Sequence, residues 1–320
     1  MKRFVPIFVV IIALVLTGCQ KQKNIVCSSC GEEVAMSKYC SECGQPLSTN
    51  QDGTESTENK TDVIDLTETK GLEYFPLLDG TYAVSVGTAC NLEKIVIPSQ
   101  YNGKNVSAIE SNGFRDTNIV SVIIPNTVTE IGPYSFYGCK NLTKVTIPDS
   151  VTEIGESAFA MCSSLTSITI PNSVTEILYG AFLGCTNFTS VTIPDSVTTI
   201  GDYAFALCSS LTSITIPNSV TEIMSGIFID CHSLINVTIP SKVDKIDRLA
   251  FANCTSLTNI TIPDSVTTIS EYAFYACNNL QTINFNGSIA QWDLIKKGEI
   301  WNYKVPTPKV VCTDGNVNLK

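Results

Sequence analysis

A repeat of 23 residues runs through most of the chain and restricts its fold more than any other feature. Prolines keep this interval at Pro125, Pro148, Pro171, Pro194, Pro217, Pro240 and Pro263. Cysteines keep the same interval at Cys139, Cys162, Cys185, Cys208, Cys231, Cys254 and Cys277. Because a unit this short cannot enclose a core by itself, the repeat predicts a solenoid in which neighbouring coils stack and bury a shared core.

The apolar positions of one unit predict its local structure. Leu165, Ile168 and Ile170 have the spacing of a short strand whose alternate side chains point inward. Pro171 has no N–H to donate and ends that strand. Ala181, Phe182 and Cys185 then suit a short helical turn before the next strand. We therefore expect one strand and one helical turn per coil, and about eight coils at a spacing of ~4.8 Å form a rod on the order of 40 Å long.

The repeat unit closely resembles that of the BspA-type leucine-rich-repeat family of bacterial surface antigens. Its units read I-T-I-P-x-S-V-T-x-I-G-x-x-A-F-x-x-C, and the likeness covers residues 71–320. The first unit departs from the pattern, since the stretch 114–119 is one residue short and lacks the Cys. The resemblance implies a solenoid over residues 71–286 and a C-terminal cap of one helix and one strand over 287–320. It also implies a non-catalytic protein that adheres to host or microbial protein or glycan.

The N-terminus predicts export and a lipid anchor. Lys2 and Arg3 precede the apolar stretch 4–16, which is typical of a signal peptide spanning residues 1–18. The stretch ends in Leu-Thr-Gly-Cys, which resembles the lipobox of bacterial lipoproteins and makes Cys19 the lipidated residue of a short spacer, 19–26. The alternative is an uncleaved membrane anchor, although the apolar stretch is shorter than the ~20 residues of a spanning helix. Both interpretations place the rest of the chain outside the cytoplasm, with a membrane as its first partner, and the lipoprotein at the cell surface.

Two C-x-x-C pairs follow, and they predict a structural zinc site. Cys27, Cys30, Cys40 and Cys43 can supply four thiolates to one tetrahedral Zn²⁺, and each pair is followed by Gly. Residues 27–47 look like a short zinc ribbon. Two disulfides are the alternative, because an exported module sits in a potentially oxidising compartment. Either arrangement is structural, since no open coordination position remains for catalysis.

The segment 48–70 predicts a disordered linker, because it is rich in Thr, Glu, Asn and Asp and nearly free of large apolar residues. The whole chain carries a formal charge of −10 and has a pI near 4.7. Nucleic acid is therefore excluded as a partner, since phosphate neutralisation needs a basic face.

No catalytic constellation emerges from the repeat, and we expect the protein not to be an enzyme. His232 is the only histidine and occupies a position held by Ser or Thr in other units, which indicates a surface turn. Glu130, Glu153 and Glu176 recur in one column, whereas an acid–base pair needs two different environments. The repeated cysteines are expected to act as small apolar core residues.

The outward positions of the strands form the candidate ligand face. They are nearly neutral and rich in hydroxyl groups, and comprise Thr146, Thr169, Thr192, Thr215, Thr238, Thr261, Ser167, Ser190 and Ser213. Thr is also a good strand former, so the column is explained without any ligand. Docking of a protein or glycan and an ice-binding array are the other two interpretations. A structural coat protein that self-associates without a foreign ligand is the alternative to the adhesion function.

Overall fold

The computed structural model describes residues 25–26, 33–34, 68–306 and 308–319. The chain divides into two units, Met1–Leu66 and Thr67–Lys320. In the first unit, the strands Ile25–Val26 and Glu33–Val34 pair antiparallel. The second unit is a β-solenoid of about ten coils, and each coil has three sides.

The first side of each coil is the predicted strand. Neighbouring strands are parallel, and in the paired repeat strands each residue lies opposite the one 23 positions along the chain. Ser167 lies opposite Ser190, and Ile168 lies opposite Val191. Ten strands form this side, two more than the coils expected, because the terminal coils depart from the repeat motif. They are Lys94–Val96, Ser121–Ile123, Lys144–Thr146, Ser167–Thr169, Ser190–Thr192, Ser213–Thr215, Asn236–Thr238, Asn259–Ile262, Thr282–Phe285 and Lys309–Cys312.

The second side is a further parallel sheet that sequence analysis did not predict. Most of its strands are only two residues long, which is too short for the sequence to show the alternation of apolar and polar residues that is typical of a strand. They are Tyr82–Ser85, Lys104–Ile109, Glu130–Ile131, Glu153–Ile154, Glu176–Ile177, Thr199–Ile200, Glu222–Ile223, Lys245–Ile246, Thr268–Ile269 and Lys296–Lys297. The second residue of each two-residue repeat strand is a buried Ile.

The third side, which we name the turn side, was expected to be a helical turn, and that prediction is wrong. Ala181 and Phe182 lie in a run of turns, 179–184, that ends directly before Cys185. The N–H of Phe159 donates to the carbonyl of Ala181 in the next coil at 2.9 Å, whereas Ala160 N–H donates back to Ser157 at 3.1 Å. Ser157 has a left-handed φ of 52°, which interrupts a right-handed helix. The turn side therefore also bonds coil to coil.

The core between the three sides contains a ladder of stacked rings. Phe114, Phe136, Phe159, Phe182, Phe205, Phe228, Phe251 and Phe274 are fully buried, and successive ring centroids lie 5.2 to 6.0 Å apart. The seven repeated cysteines are buried beside them as free thiols, which confirms their expected place in the core.

Both ends of the solenoid are covered by antiparallel strands. At the N-terminal end Glu73–Pro76 pairs with Tyr82–Ser85, followed by the 3₁₀ helix Gly87–Asn91 and the pairing of Gln100–Tyr101 with Lys104–Ile109. At the C-terminal end a helix, Ile289–Leu294, buries Trp292 and begins in a capping box. The strand Gly315–Asn318 then pairs antiparallel with Lys309–Cys312.

The helix and the strand expected at the C-terminal end are thus both present. In the part of the chain that the structure describes, every residue of the core lies between Leu72 and Cys312. We therefore expect Thr67–Lys320 to fold without the first unit.

Candidate functional site

The strand face holds all nine residues of the candidate ligand site in exposed positions. We use this name for the outward side chains of strands Lys144–Thr146 to Asn259–Ile262. In each three-residue strand the first and third side chains face outward, and the central Val or Ile faces the core. The exposed residues are Thr146, Thr169, Thr192, Thr215, Thr238, Thr261, Ser167, Ser190 and Ser213. The structure places them in two columns, and their role in binding stays a prediction.

The hydroxyl groups of the strand face are uncommitted, unlike those beside it. Thr143 and Thr189, which precede their strands, each donate a hydrogen bond to a backbone carbonyl of the preceding coil at 3.2 Å. Thr169, Thr192 and Thr215 make no side-chain hydrogen bond to any part of the chain that the structure describes. Their hydroxyl groups can therefore donate to and accept from a ligand without breaking a bond of the fold.

The strand face carries little charge. Of the first and third residues of these strands, from Lys144 to Thr261, only Lys144 has an ionised side chain. Ile235, directly before the strand Asn236–Thr238, is 45% exposed and adds an apolar point at its edge. The chemistry on offer is hydrogen bonding by neutral groups, not ion pairing.

The second sheet carries the column of glutamates. Glu153 and Glu176 line a depression of about 260 Å³ together with Thr152, Thr175 and Leu178. Burial raises the pKa of Glu130, and the like charges of Glu153 and Glu110 add to this effect. The column repeats one environment from coil to coil and holds no nucleophile, so it does not supply the divergent pair that acid–base catalysis needs.

His232 lies on an exposed turn, as its position in the repeat indicated. Its Nδ1 lies 3.0 Å from the carbonyl oxygen of Asn253, and that Asn donates to the Asp230 carboxylate at 2.7 Å. The neighbouring Cys231 donates its thiol proton to the carbonyl of Phe205 at 3.1 Å. Within the described residues no hydroxyl or thiol is bonded to His232, so this arrangement is not a nucleophile–base pair.

The buried thiols are chemically quiet. Burial raises the pKa of Cys185 and of Cys277 to about 12, and that of Cys139 to about 11. The thiolate, which is the nucleophile and the metal ligand, is therefore scarce at neutral pH. Among residues 68–306 and 308–319 and the two short strands, no three His, Cys, Asp or Glu side chains are placed to hold a metal ion.

The N-terminal sites predicted from sequence lie outside the described residues. These are Cys19 and the four cysteines Cys27, Cys30, Cys40 and Cys43. The antiparallel strands Ile25–Val26 and Glu33–Val34 flank the first C-x-x-C pair in sequence. In the described part of the chain no helix is both long and apolar enough to cross a bilayer.

Sequence analysis missed the aromatic character of the turn side. Tyrosines occupy it at Tyr134, Tyr137, Tyr179, Tyr203, Tyr272, Tyr275 and Tyr303. The guanidinium of Arg115 lies 4.7 Å from the ring centre of Tyr137, and that of Arg248 lies 5.7 Å from Tyr272. Tyr134, Tyr203 and Tyr272 share one position of the 23-residue repeat, but the predicted helix gave the tyrosines no common face.

Comparison with known proteins agrees with this architecture. The profile of the BspA type leucine rich repeat region matches six copies in residues 87–186 and 175–294. The crystal structure of a leucine rich repeat protein of T. pallidum is similar, with 30% identity, a TM-score of 0.56, and coverage of 60% of this chain and 91% of that one. A leucine-rich repeat protein from Bacteroides ovatus shares 25% identity at a TM-score of 0.55, covering 78% of this chain and 71% of that one. Among curated proteins, none matches the sequence significantly.

Proposed function

Since the chain belongs to the BspA-type leucine-rich-repeat family, we propose that it is a non-catalytic binding protein whose strand face adheres to a protein or glycan on a host or microbial surface. The observation that carries this proposal is the set of uncommitted hydroxyl groups on Thr169, Thr192 and Thr215. Thr169 lies opposite Thr192 on paired neighbouring strands, and Thr215 occupies the same position one coil further on. A ligand can therefore be held by a row of equivalent hydrogen bonds.

A rigid support adds to this argument. Ile168 and Ile214 are buried in the core and Val191 packs against it, so the outward side chains start from supported backbone positions. A preorganised face loses little conformational entropy when a ligand binds. Neutral hydroxyl groups also select for hydrogen-bonding partners, whereas a basic or acidic face would select for charge.

The binding experiment uses residues 67–320 on an array of glycans and extracellular-matrix proteins. The test variant replaces Thr169, Thr192 and Thr215 with Lys. The control variant places the same three added charges directly before strands of the second sheet, at Thr152, Thr175 and Thr198, which are also exposed. Saturable binding that the test variant loses and the control retains is the expected result. Binding that both variants retain would refute the strand face, and an array without any binding would leave the coat protein as the function.

We also propose that Cys19 carries the lipid that holds the protein at the membrane surface. The Leu-Thr-Gly-Cys sequence after a short apolar stretch supports this anchor. Replacement of Cys19 by Ser should release the protein from the membrane fraction, because two acyl chains supply most of the membrane affinity. A variant that still partitions fully to membranes would contradict lipidation.

Residues 27–47 are proposed to form a zinc ribbon, and 48–70 a linker that separates it from the solenoid. The four cysteines at ribbon spacing support the metal site, and the strand pair flanking Cys27 and Cys30 is the kind of hairpin that positions such a pair. Elemental analysis should find one zinc per chain in protein purified without added metal, and Cys40→Ser should lower it. Metal-free protein whose mass is lower by four hydrogen atoms would establish two disulfides instead.

A further inference from the structure

The turn side carries a pattern of side chains that reads similarly in both directions from its centre. The centre is the coil that holds Asp202, Tyr203 and Ala206. In the column of Tyr203, the residues one coil away on either side are Gly180 and Gly226. Three coils away on either side they are Tyr134 and Tyr272.

A second column, that of Ala206, repeats this symmetry. Leu183 and Ile229 lie one coil to either side, and both are partly exposed branched apolar residues. Tyr137 and Tyr275 lie three coils to either side. The symmetry does not extend to every position, since Tyr179 corresponds to Ser225.

Charged residues that lie at equal distances on either side of the central coil carry opposite charges. Glu156 and Arg248 are both exposed and lie two coils on either side of Asp202. Asp116 and Lys304 lie four coils on either side of Leu207. Neither Arg248 nor Lys304 makes an ion pair within the described part of the chain; the salt bridges there join Arg115 to Asp116 and Lys245 to Asp247.

From this pattern we infer that the turn side is a homodimer interface in which two copies of the chain pack antiparallel about a two-fold axis across the Tyr203 coil. A two-fold interface is reciprocal: if residue i of one copy contacts residue j of the other, then residue j of the first copy contacts residue i of the second. An antiparallel pairing within each column therefore brings Glu156 of each copy to Arg248 of the other, Leu183 to Ile229 and Tyr137 to Tyr275.

The packing at the centre supports the same arrangement. A Cβ on Gly226 would lie 2.4 Å from the Tyr203 ring, so that ring leans over Gly226 in its own chain. Gly226 faces Gly180 of the other copy in this pairing, and Gly180 has no side chain to obstruct the ring. The two Tyr203 rings thus lie on either side of the axis, each above a glycine of the other copy.

One contact opposes the association. Asp202 lies on the two-fold axis and therefore faces Asp202 of the other copy, so that two like charges meet. Each carboxylate already accepts the N–H of Ser225 in its own chain at 2.9 Å. The nine coils from Asp116 to Lys304 span about 40 Å along the stack. The strand face lies on another side of each coil, so it stays free, and this inference does not depend on its ligand.

Sedimentation velocity of residues 67–320 tests the interface, from about 1 to about 200 µM protein at ~150 mM salt. The sedimentation coefficient of the native chain should rise from monomer to dimer. Arg248→Glu and Glu156→Arg should each weaken association about tenfold, because each sets like charges face to face. The double variant should regain native association, since both new pairs are again of opposite sign. Asp202→Asn should strengthen association, and Lys242→Glu, an exposed reversal off the turn side, should leave it unchanged.

A monomer at every concentration would overturn the inference and leave the tyrosines to a foreign partner. Association that the single reversals leave unchanged, or that the double variant fails to regain, would place the interface on another side. A sedimentation coefficient that grows beyond that of a dimer would show an open assembly and would equally contradict the closed two-fold pair.

Discussion

The thiol of Cys162 donates a hydrogen bond to the carbonyl oxygen of Phe136, which lies 3.1 Å away in the preceding coil. The same carbonyl also accepts the N–H of Cys139 at 3.2 Å. This pair of bonds repeats along the column. In the first coil Thr117 takes the place of the Cys, and its hydroxyl donates to the carbonyl of Phe114 in its own coil at 2.7 Å, while that carbonyl also accepts the thiol of Cys139 at 3.0 Å. The column thus requires a small side chain that can donate, which explains why Cys recurs where Ala would fill the same space.

The thiol column should be protected and pH-sensitive. Burial raises the pKa of Cys185 to about 12 from an ordinary value of 9.0. The folded state therefore holds its thiol protons more tightly than the unfolded state, so this stabilisation is complete below pH 9 and is lost as the pH rises towards 12. We expect no reaction of the seven column thiols with Ellman's reagent at pH 8 until denaturant is added, and a falling free energy of unfolding above pH 9. Rapid labelling of the folded protein at pH 8 would show that the column is open to solvent.

Ser135 is the one buried side-chain oxygen or nitrogen without a hydrogen-bond partner in the described residues. It is fully buried in a column that holds Ala158 in the next coil. Ser135→Ala should raise the free energy of unfolding by about 1 kcal/mol, because an unsatisfied hydroxyl is removed. Ala158→Ser is the matched reverse change and should lower the free energy of unfolding by a similar amount. Chemical denaturation measures both, and a loss of stability in Ser135→Ala would imply a bonding partner.

Glu130 should be more stabilising when it is neutral. Its pKa is raised by burial and by Glu153 and Glu110, so the folded state favours the protonated carboxyl. This contribution is present at pH values below the unfolded pKa and is lost as the pH rises through the folded pKa. Glu130→Gln should therefore be more stable than the native chain at pH 7, and the difference should vanish near pH 4. Denaturation curves at both pH values test this, with exposed Glu93→Gln as the control; equal stability at pH 7 would refute it.

The identical 16-residue strings that begin at Cys162 and Cys208 define two interchangeable positions in the stack. Deletion of residues 163–208 removes two whole coils and joins equivalent points, so both sheets keep their register. The shortened chain should fold with lower stability, since it loses two nearest-neighbour interfaces. Deletion of residues 163–197, which is not a whole number of coils, should abolish cooperative unfolding. Circular dichroism and thermal melts distinguish the two, and equal behaviour would contradict a register set by the repeat.

Much of the solenoid could be predicted from the sequence, because one pattern was repeated often enough to identify strand, turn and core. Ile168 inward and Thr169 outward followed directly from the two-residue period of a strand. The turn side was harder, since Ala181, Phe182 and Cys185 have helical spacing, and only the backbone shows that Ser157 and Met161 have left-handed φ values of 52° and 61°. Their side chains gave no warning, because Gly occupies the Met161 position in only some coils.

The sequence predicted where the residues of the candidate site lie, but not whether their hydroxyl groups are already hydrogen-bonded. Alternation placed Thr169 and Thr192 on the outside, yet it could not tell that their hydroxyl groups are unused while those of Thr143 and Thr189 bond to the preceding coil. That distinction depends on where each carbonyl lies in three dimensions. The sequence also could not predict that the tyrosines share the turn side, because the expected helical turn would have pointed them in different directions.

Hydrogen bonds run from coil to coil along the axis of the stack, on all three sides at most interfaces and on the turn side throughout from Asn112 to Tyr303. A pull on the two ends of the chain therefore loads these bonds one coil at a time, and the end coil gives way before the next is strained. Each coil that opens adds 23 residues of contour length, about 75 Å at full extension. Under the proposed adhesion function the solenoid would act as a tether that lengthens in steps under flow. Part of the work done by shear would then extend the chain before the force reached the bond with the surface.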